Sequence, residues 1–519
     1  MIDFKKFLSY PKIFILLFFS IFLFLDYNFF EKKTKKVSLS WDEVNYALSA
    51  EKGILENVLE IQSSNFIKFL KLGQLKFNKN DNENNIASLN LINENDDIFY
   101  LRHLHPPLSS MYWSLFIDND RSKQDLKLRN SQNFIIYSLI IFLILISIYY
   151  NLNNILIKVA FIVLVFNSNI VSIATNNLNF HLIFSLTSLI YLLLLINLLK
   201  NNNFKNRFIF SFGVVLLFMS LETAPFILIG SFISLLIYYK KYNFYFNSII
   251  IIFLKSLILL LVLWPANIYN LTILKNYFIH IYRIFLQPSN EYSEVNQLSL
   301  FSNIFINDYV LIISILLIFI LLLINLKKIK QKSKFLITFI HGFIYLILIF
   351  PFAYHPNYIL PTIFIFSLSI IYILNEINLT SRFLNYLLIS FIFLIFINYF
   401  NVNTIKKNTN SVDIISLTVN DINKHNQNMP ILVDGAHIFK YYSKYDKIDY
   451  LNIYNPHKPK FFIRKDFNNI NIIQRIKNNY YSMIILQKNR KYSTEQLNLL
   501  QNYGYYKSDN QKYYIFILK

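Results

Sequence analysis

Cysteine is absent from the 519 residues, which excludes disulfide bridges, thiolate chemistry and thiol-based metal sites together. Glycine is nearly as scarce, at seven residues, and no glycine-rich loop of the kind that cradles a nucleotide's phosphates is present. Acids are few as well: 29 Asp and Glu stand against 50 Lys and Arg, a formal balance of +21. So basic a balance invites a nucleic-acid reading. Lys, Asn, Ile, Phe and Tyr are inflated together, however, as an AT-rich genome produces, and much of the Lys lies in short gaps between apolar runs. There it sets membrane orientation, and no nucleic-acid partner is expected.

What the chain has in excess is uncharged apolar length, with 55% of its residues hydrophobic. Runs of about 18 residues or more, enough to cross a hydrocarbon layer roughly 30 Å thick, recur along most of it. A soluble protein of this size would alternate apolar and polar faces. Spans are expected near 11–30, 133–150, 155–175, 180–199, 208–221, 225–239, 247–264, 309–326, 335–352, 357–374 and 383–400. That makes an all-α polytopic membrane protein with about eleven crossings.

The charges between spans are Lys158, the group Lys200, Lys205 and Arg207, the pair Lys240 and Lys241, the cluster 327–334, and Arg382. Placed on the cytoplasmic side, they put the loop 31–132, the loop 265–308 and the tail after 400 outside. Lys5, Lys6 and Lys12 precede a first span without a small-residue cleavage site, so a retained span of the cell (inner) membrane is expected. Two features run against this layout. Lys32, Lys33, Lys35 and Lys36 fall on the outer side, and 208–239 reads equally as one helix broken around Glu222 and Pro225. Glu222 and His341 are the ionisable residues to question within spans; both fall near span ends, where solvated positions are expected.

Residues 1–403 hold the spans, and 404–519 form a polar tail of a different kind. Apolar patches at Pro430–Asp434 and Tyr481–Leu486, a helical stretch over Asn471–Asn479 and a final strand over Lys512–Leu518 predict a small α/β domain on the outer face. Asp434-Gly435-Ala436-His437 reads as a turn with no catalytic role. Residues 76–97, rich in Asn, Asp and Glu, read as a flexible insertion in the first loop.

The chemistry concentrates in that first loop. Ser40-Trp41-Asp42-Glu43-Val44-Asn45-Tyr46 sets two adjacent carboxylates just beyond the first span. Tyr46, Ala50, Ile54 or Leu55, Val58 and Leu59 follow at helical spacing, predicting a helix on the membrane surface with its apolar side down. Ser40 and Glu43 also make a capping box; Glu43 can cap while Asp42 faces a substrate. Further on, Arg102-His103-Leu104-His105-Pro106-Pro107-Leu108 places three cationic or protonatable residues directly before a helix start, an arrangement suited to a phosphate group.

Taken together, these segments resemble the dolichyl-phosphate-mannose protein mannosyltransferases and the aminoarabinose transferases of the GT-C superfamily. The resemblance lies in an acidic pair with Tyr46 three residues on, followed in the same loop by His105-Pro106-Pro107-Leu108, and in Asn357-Tyr358-Ile359-Leu360-Pro361 opening a late span. Motif matching covers about a tenth of the chain. Asn176, Asn177 and Asn179 stand where relatives often carry a second acid. Glu222-Thr223 stands where many have Lys, and Asn357 replaces an Arg. Some aminoarabinose transferases have Lys where His105 stands.

The resemblance implies a GT-C-like membrane enzyme moving a sugar from a polyprenyl-phosphate donor onto an acceptor hydroxyl outside the cytoplasm, with inversion. It implies Asp42 as general base, Glu43 as its support or an acceptor contact, and His105, His103, Arg102 and Arg283 as cations for the donor phosphate. Tyr46 and Tyr358 are substrate-binding candidates, although interfacial packing accounts for Tyr46 and headgroup anchoring for Arg283. The acceptor, whether protein, lipid or glycan, is left open, as is a divalent cation; no nucleotide cofactor is expected. The rival class is a transporter or lipid flippase, which predicts broken helices and buried charge pairs near mid-membrane. A membrane glycan polymerase or ligase would need more than His280 and Arg283 in the loop 265–308, and a non-catalytic descendant would fit the Asn176–Asn179 departure.

Overall fold

The computed structural model describes residues 39, 41–59, 105–150, 155–166, 168–242, 246–269, 312–313, 316–317, 320, 333–349, 356–376, 385–386, 388–391, 394, 429–433, 441–442, 448–450, 472–488, 492, 494–509 and 513–518. The expected first span, the insertion 76–97, Arg102, His103, His280, Arg283 and the turn 434–437 lie outside the described residues, as do most of the expected spans 309–326 and 383–400.

Apolar composition and well-formed caps account for the helices. The loop helices are α1 (Trp41–Glu51), α2 (Gly53–Leu59) and α3 (Leu108–Trp113). The bundle is built from α4 (Arg121–Tyr150), α5 (Ile155–Phe166), α6 (Asn169–Asn176), α7 (Phe180–Lys200), α8 (Phe204–Ser220), α9 (Ala224–Tyr242), α10 (Phe246–Leu263), α11 (Ser333–Ile349) and α12 (Leu360–Glu376). Side-chain oxygens of Ser168, Asn179 and Asn203 accept from the backbone N–H three residues on, starting α6, α7 and α8 as N-cap residues do. Among the described residues, three stretches are long and apolar enough to cross a membrane: Lys123–Tyr149, Phe180–Lys200 and Asn357–Leu374. Four shorter apolar helices accompany them.

Polar contacts give the helix directions. Thr187 meets Ser220 and Asn197 meets Asn206, so α7 and α8 are antiparallel. Thr223 meets Tyr345 and Ser231 meets His341, so α9 and α11 are antiparallel; Lys334 lies over the Tyr372 ring and Thr338 meets Ser369, so α11 and α12 are antiparallel too. The N-termini of α7, α9 and α12 and the C-termini of α8 and α10 thus share one end. Lys200, Lys205, Arg207, Lys240, Lys241 and Lys334 lie toward the other.

Four sequence expectations are corrected. The span 155–175 is two helices, because Ser168 is extended (ψ 152°) and caps a new start. Lys158, expected among the loop charges, is buried within α5. The surface helix is broken at Gly53, whose φ of +78° is a conformation that suits glycine; Val44, Ala47 and Ala50 of α1 are fully buried in the protein, while Ile54 and Leu55 of α2 are exposed. Glu222 and His341 are buried, not solvated. His341 Nε2 lies 2.7 Å from Ser231 Oγ, which meets the Tyr191 hydroxyl at 2.5 Å. Such polar contacts join helices where apolar packing alone discriminates little. Gly230 permits that approach: a Cβ there would stand 2.9 Å from the His341 ring. The open question at 208–239 resolves into two helices, α8 and α9, parted by extended Leu221.

The tail contributes a five-stranded sheet with order β2-β1-β3-β5-β4, where β1 is Ile431–Val433, β2 Ile448–Tyr450, β3 Met483–Gln487, β4 Tyr505–Asp509 and β5 Tyr513–Leu518. Strand β1 runs parallel to β2 and β3, while β5 is antiparallel to β3 and β4. Two helices, α13 (Ile472–Lys477) and α14 (Thr494–Asn502), lie between strands in the chain. Every residue of β3 is buried, as befits a central strand.

Candidate active site

The loop helices and the helix ends on the side away from the basic cluster converge on one segment, Leu178–His181, at the start of α7. Its position follows from Asn179, whose side chain accepts from Leu182 N–H at 3.2 Å and donates to the Ala174 and Asn177 carbonyls at 2.8 and 3.2 Å. Asn179 is thereby occupied as a cap.

Helix α1 brings the acidic pair to this segment. Asp42 lies in its first turn, with a side chain outside the described residues. Glu43 is 2% exposed. One of its oxygens accepts from Leu178 N–H at 2.8 Å and the other from the Arg129 guanidinium at 3.1 Å. A buried ion pair is tolerated where hydrogen bonds occupy the remaining lone pairs, and Leu178 supplies one. The carboxylate therefore ties α1 to α4 and to the start of α7.

Tyr46, one turn along, is part-buried among rings: it stacks on Trp113 at 5.5 Å and meets Phe180 edge-on at 4.5 Å. His105 packs at 4.2 Å from Phe180. Its Nδ1 lies 2.9 Å from Oε2 of Glu222, which is 3% exposed. Helix α3 anchors the His-Pro-Pro segment through Leu108 and Met111, which pack on Val215, Met219 and Trp264 at the ends of α8 and α10. Tyr358 is half-buried, with its ring 4.6 Å from that of His181.

The structure thus brings together Glu43, Tyr46, His105 and, through His181, Tyr358, and it sets the backbone of Asp42 beside them. Arg102, His103 and Arg283 are not described. Arg129, one of several basic residues before an apolar run, escapes the sequence reading; Glu222 stands in it as an ionisable residue to question, but its pairing with His105 does not. The signal for Glu222 is there, since it is an acid in the middle of an otherwise apolar stretch. Among the described residues no three His, Cys, Asp or Glu side chains cluster as a metal site.

No protein-family model matches this chain, and no curated protein does. The fold, however, is shared with a protein of solved structure. The likeness is to ArnT from Cupriavidus metallidurans, whose apo crystal structure aligns with a TM-score of 0.57 at 10% identity, covering 98% of this chain and 98% of that one. The crystal structure of the same ArnT bound to undecaprenyl phosphate aligns with a TM-score of 0.56 at 10% identity over 97% of each chain.

Proposed function

We propose that this chain is an integral membrane glycosyltransferase that moves a sugar from a polyprenyl-phosphate donor to an acceptor hydroxyl on the non-cytoplasmic face. The observation that carries the reading is the convergence of the acidic helix α1, His105 and Tyr358 on the start of α7, at one end of a fold shared along nearly its whole length with an undecaprenyl-phosphate-binding protein. The site lies at the end away from Lys200, Lys205, Arg207, Lys240 and Lys241, which by the positive-inside rule faces away from the cytoplasm. About eleven crossings within 1–403, and a tail domain over 404–519 on the site's side, complete this layout.

Asp42 is the general base in this reading. It takes the proton of the acceptor hydroxyl, whose oxygen bonds to the anomeric carbon from the face opposite the departing phosphate, and the configuration inverts. The bond from that carbon to the phosphate oxygen breaks, and the polyprenyl phosphate leaves as a stable anion. Glycosidases need a second carboxylic acid to protonate a poor leaving group; here cations around the phosphate suffice. His105 is the described candidate, joined by Arg102, His103 and Arg283. Glu43, held by Arg129 and Leu178, fixes the helix turn that carries Asp42. Tyr46 walls the pocket and Tyr358 contacts the donor. No step requires a metal ion, and the polar residues nearest the acidic helix fit a cap rather than a second set of ligands.

A lipid donor also fits the absence of a glycine-rich nucleotide loop. A transporter would explain the helix break at Ser168 and the buried His341. Uptake by reconstituted vesicles without any glycosylated product would decide for it. For the enzyme, Asp42→Asn is expected to lower sugar transfer from a polyprenyl-phosphate donor by roughly 10²- to 10⁴-fold, the usual worth of a general base, with membrane insertion intact. Retained transfer removes Asp42 from the mechanism. Mass spectrometry of envelope glycolipids and glycoproteins from a deletion strain identifies the acceptor.

A further inference from the structure

Glu222 enters no step of the reaction above, yet it is buried and rigidly placed. Its turn between α8 and α9 is closed by Ala224 N–H on the Leu221 carbonyl at 3.1 Å and by Phe226 N–H on the Thr223 carbonyl at 3.0 Å. Thr223 is tied in turn to the Tyr345 hydroxyl of α11 at 3.2 Å. The carboxylate so held lies 2.9 Å from His105 Nδ1 of the loop motif. His105 also packs against Phe180, and the buried Pro106 and Pro107 follow it in the chain. A hydrogen bond to one imidazole nitrogen fixes the role of the other.

We propose that Glu222 is the positioning residue of the donor-phosphate subsite: it accepts the Nδ1 proton of His105 so that Nε2 donates to a phosphate oxygen of a polyprenyl-phosphate ligand. This rests on the reading of the site given above. An imidazole donates from both nitrogens only when it carries both protons, and in a low-dielectric bundle such a ring needs a carboxylate beside it. An ammonium at the same position keeps its charge without that help, the ordinary value of a lysine being about 10 against about 6.5 for a histidine. Glu222 is therefore required with an imidazole at position 105 and dispensable with an amine there. That coupling separates positioning from plain support of the fold, which would not depend on which cation stands at 105.

The test is binding of undecaprenyl phosphate to the full chain in lipid nanodiscs, followed by native mass spectrometry across a ligand titration. Glu222→Gln is expected to weaken binding by roughly tenfold to a hundredfold, the range for a lost hydrogen bond between charged groups. In a His105→Lys background the same change is expected to weaken it by less than about twofold, within the spread for independent sites. Should Glu222→Gln not fold, Glu222→Asp carries the test, with an intermediate loss expected beside His105 and none beside Lys. Equal losses in both backgrounds would mean Glu222 only supports the turn. Unchanged or tighter binding by Glu222→Gln would mean the carboxylate merely repels phosphate, and either result overturns the proposal. If the unmodified chain binds no undecaprenyl phosphate, the donor reading itself fails; if it binds and the coupling is absent, this inference alone does.

Discussion

The buried pair of Glu43 and Arg129 shows how much of this site rests on single charges. Both residues are under 5% exposed, and taking two ions out of water costs several kcal/mol each before their attraction offsets it. Arg129→Met removes the guanidinium and leaves the Glu43 carboxylate in the interior. It is expected to cost about 3–5 kcal/mol, whereas Glu43→Gln together with Arg129→Met costs much less, because no charge is stranded. Thermal melts of the purified protein in detergent compare the two; equal loss in both would mean the pair is solvated in the bilayer. The acids Asp42 and Glu43 and the histidine of the His-Pro-Pro segment are legible in the sequence, since they stand in compact motifs in a loop. Their partners are not. Arg129 follows Glu43 by 86 residues and Glu222 follows His105 by 117, and only the packed bundle brings them within hydrogen-bond reach.

At the scale of elements, the tail is bolted to the loop by two adjacent tyrosines. The Tyr441 and Tyr442 hydroxyls donate to the two oxygens of Asp125 at 2.9 and 2.6 Å, in the polar first turns of α4. Each also accepts, Tyr441 from Gln124 Nε2 at 2.7 Å and Tyr442 from Leu39 N–H at 2.5 Å. Burial first, and then the Asp125 carboxylate, hold both phenols well above the ordinary tyrosine value, so they remain donors. Their contribution is in place at neutral pH, below the unfolded tyrosine value of about 10, and is lost as pH rises beyond the folded one. Replacing both by Phe removes two hydrogen bonds to a carboxylate, at roughly 1.5–3 kcal/mol each. Limited proteolysis at neutral pH is expected to cleave the tail of that variant at least tenfold faster; an unchanged rate would show that the sheet holds the tail without them. The sequence marks span helices such as 180–199 and 357–374, because length and hydropathy suffice for them. It marks their interruptions poorly. Lys52-Gly53 is a helix-end signal, but Ile54, Leu55, Val58 and Leu59 keep the apolar period running across it. Ser168 likewise sits in an apolar run whose total length alone reads as one span.

For the whole molecule, the directions of the helices and the attachment of the tail reduce orientation to one binary choice. Leu39, α1, α3, the first turns of α4, Glu222 and Tyr441–Tyr442 all meet at one end, so the acidic loop and the tail share a face whatever that face is. The basic residues between α7 and α8 and at the end of α9 lie at the opposite end, and by the positive-inside rule the function proposed above puts the shared face outside. The same charges read along the sequence lead to the same expectation, which Lys32, Lys33, Lys35 and Lys36 oppose; short loops obey the rule better than long ones. Since the chain has no cysteine of its own, single substitutions report without background. Asn119 and Asn201 are both exposed, the first beside the start of α4 and the second between α7 and α8. A membrane-impermeant maleimide added to intact cells is expected to label Asn119→Cys and to label Asn201→Cys only after permeabilisation. The reverse pattern would put the acidic loop in the cytoplasm, on the side where nucleotide sugars are at hand. A lipid-borne donor would then have no reason to be the substrate.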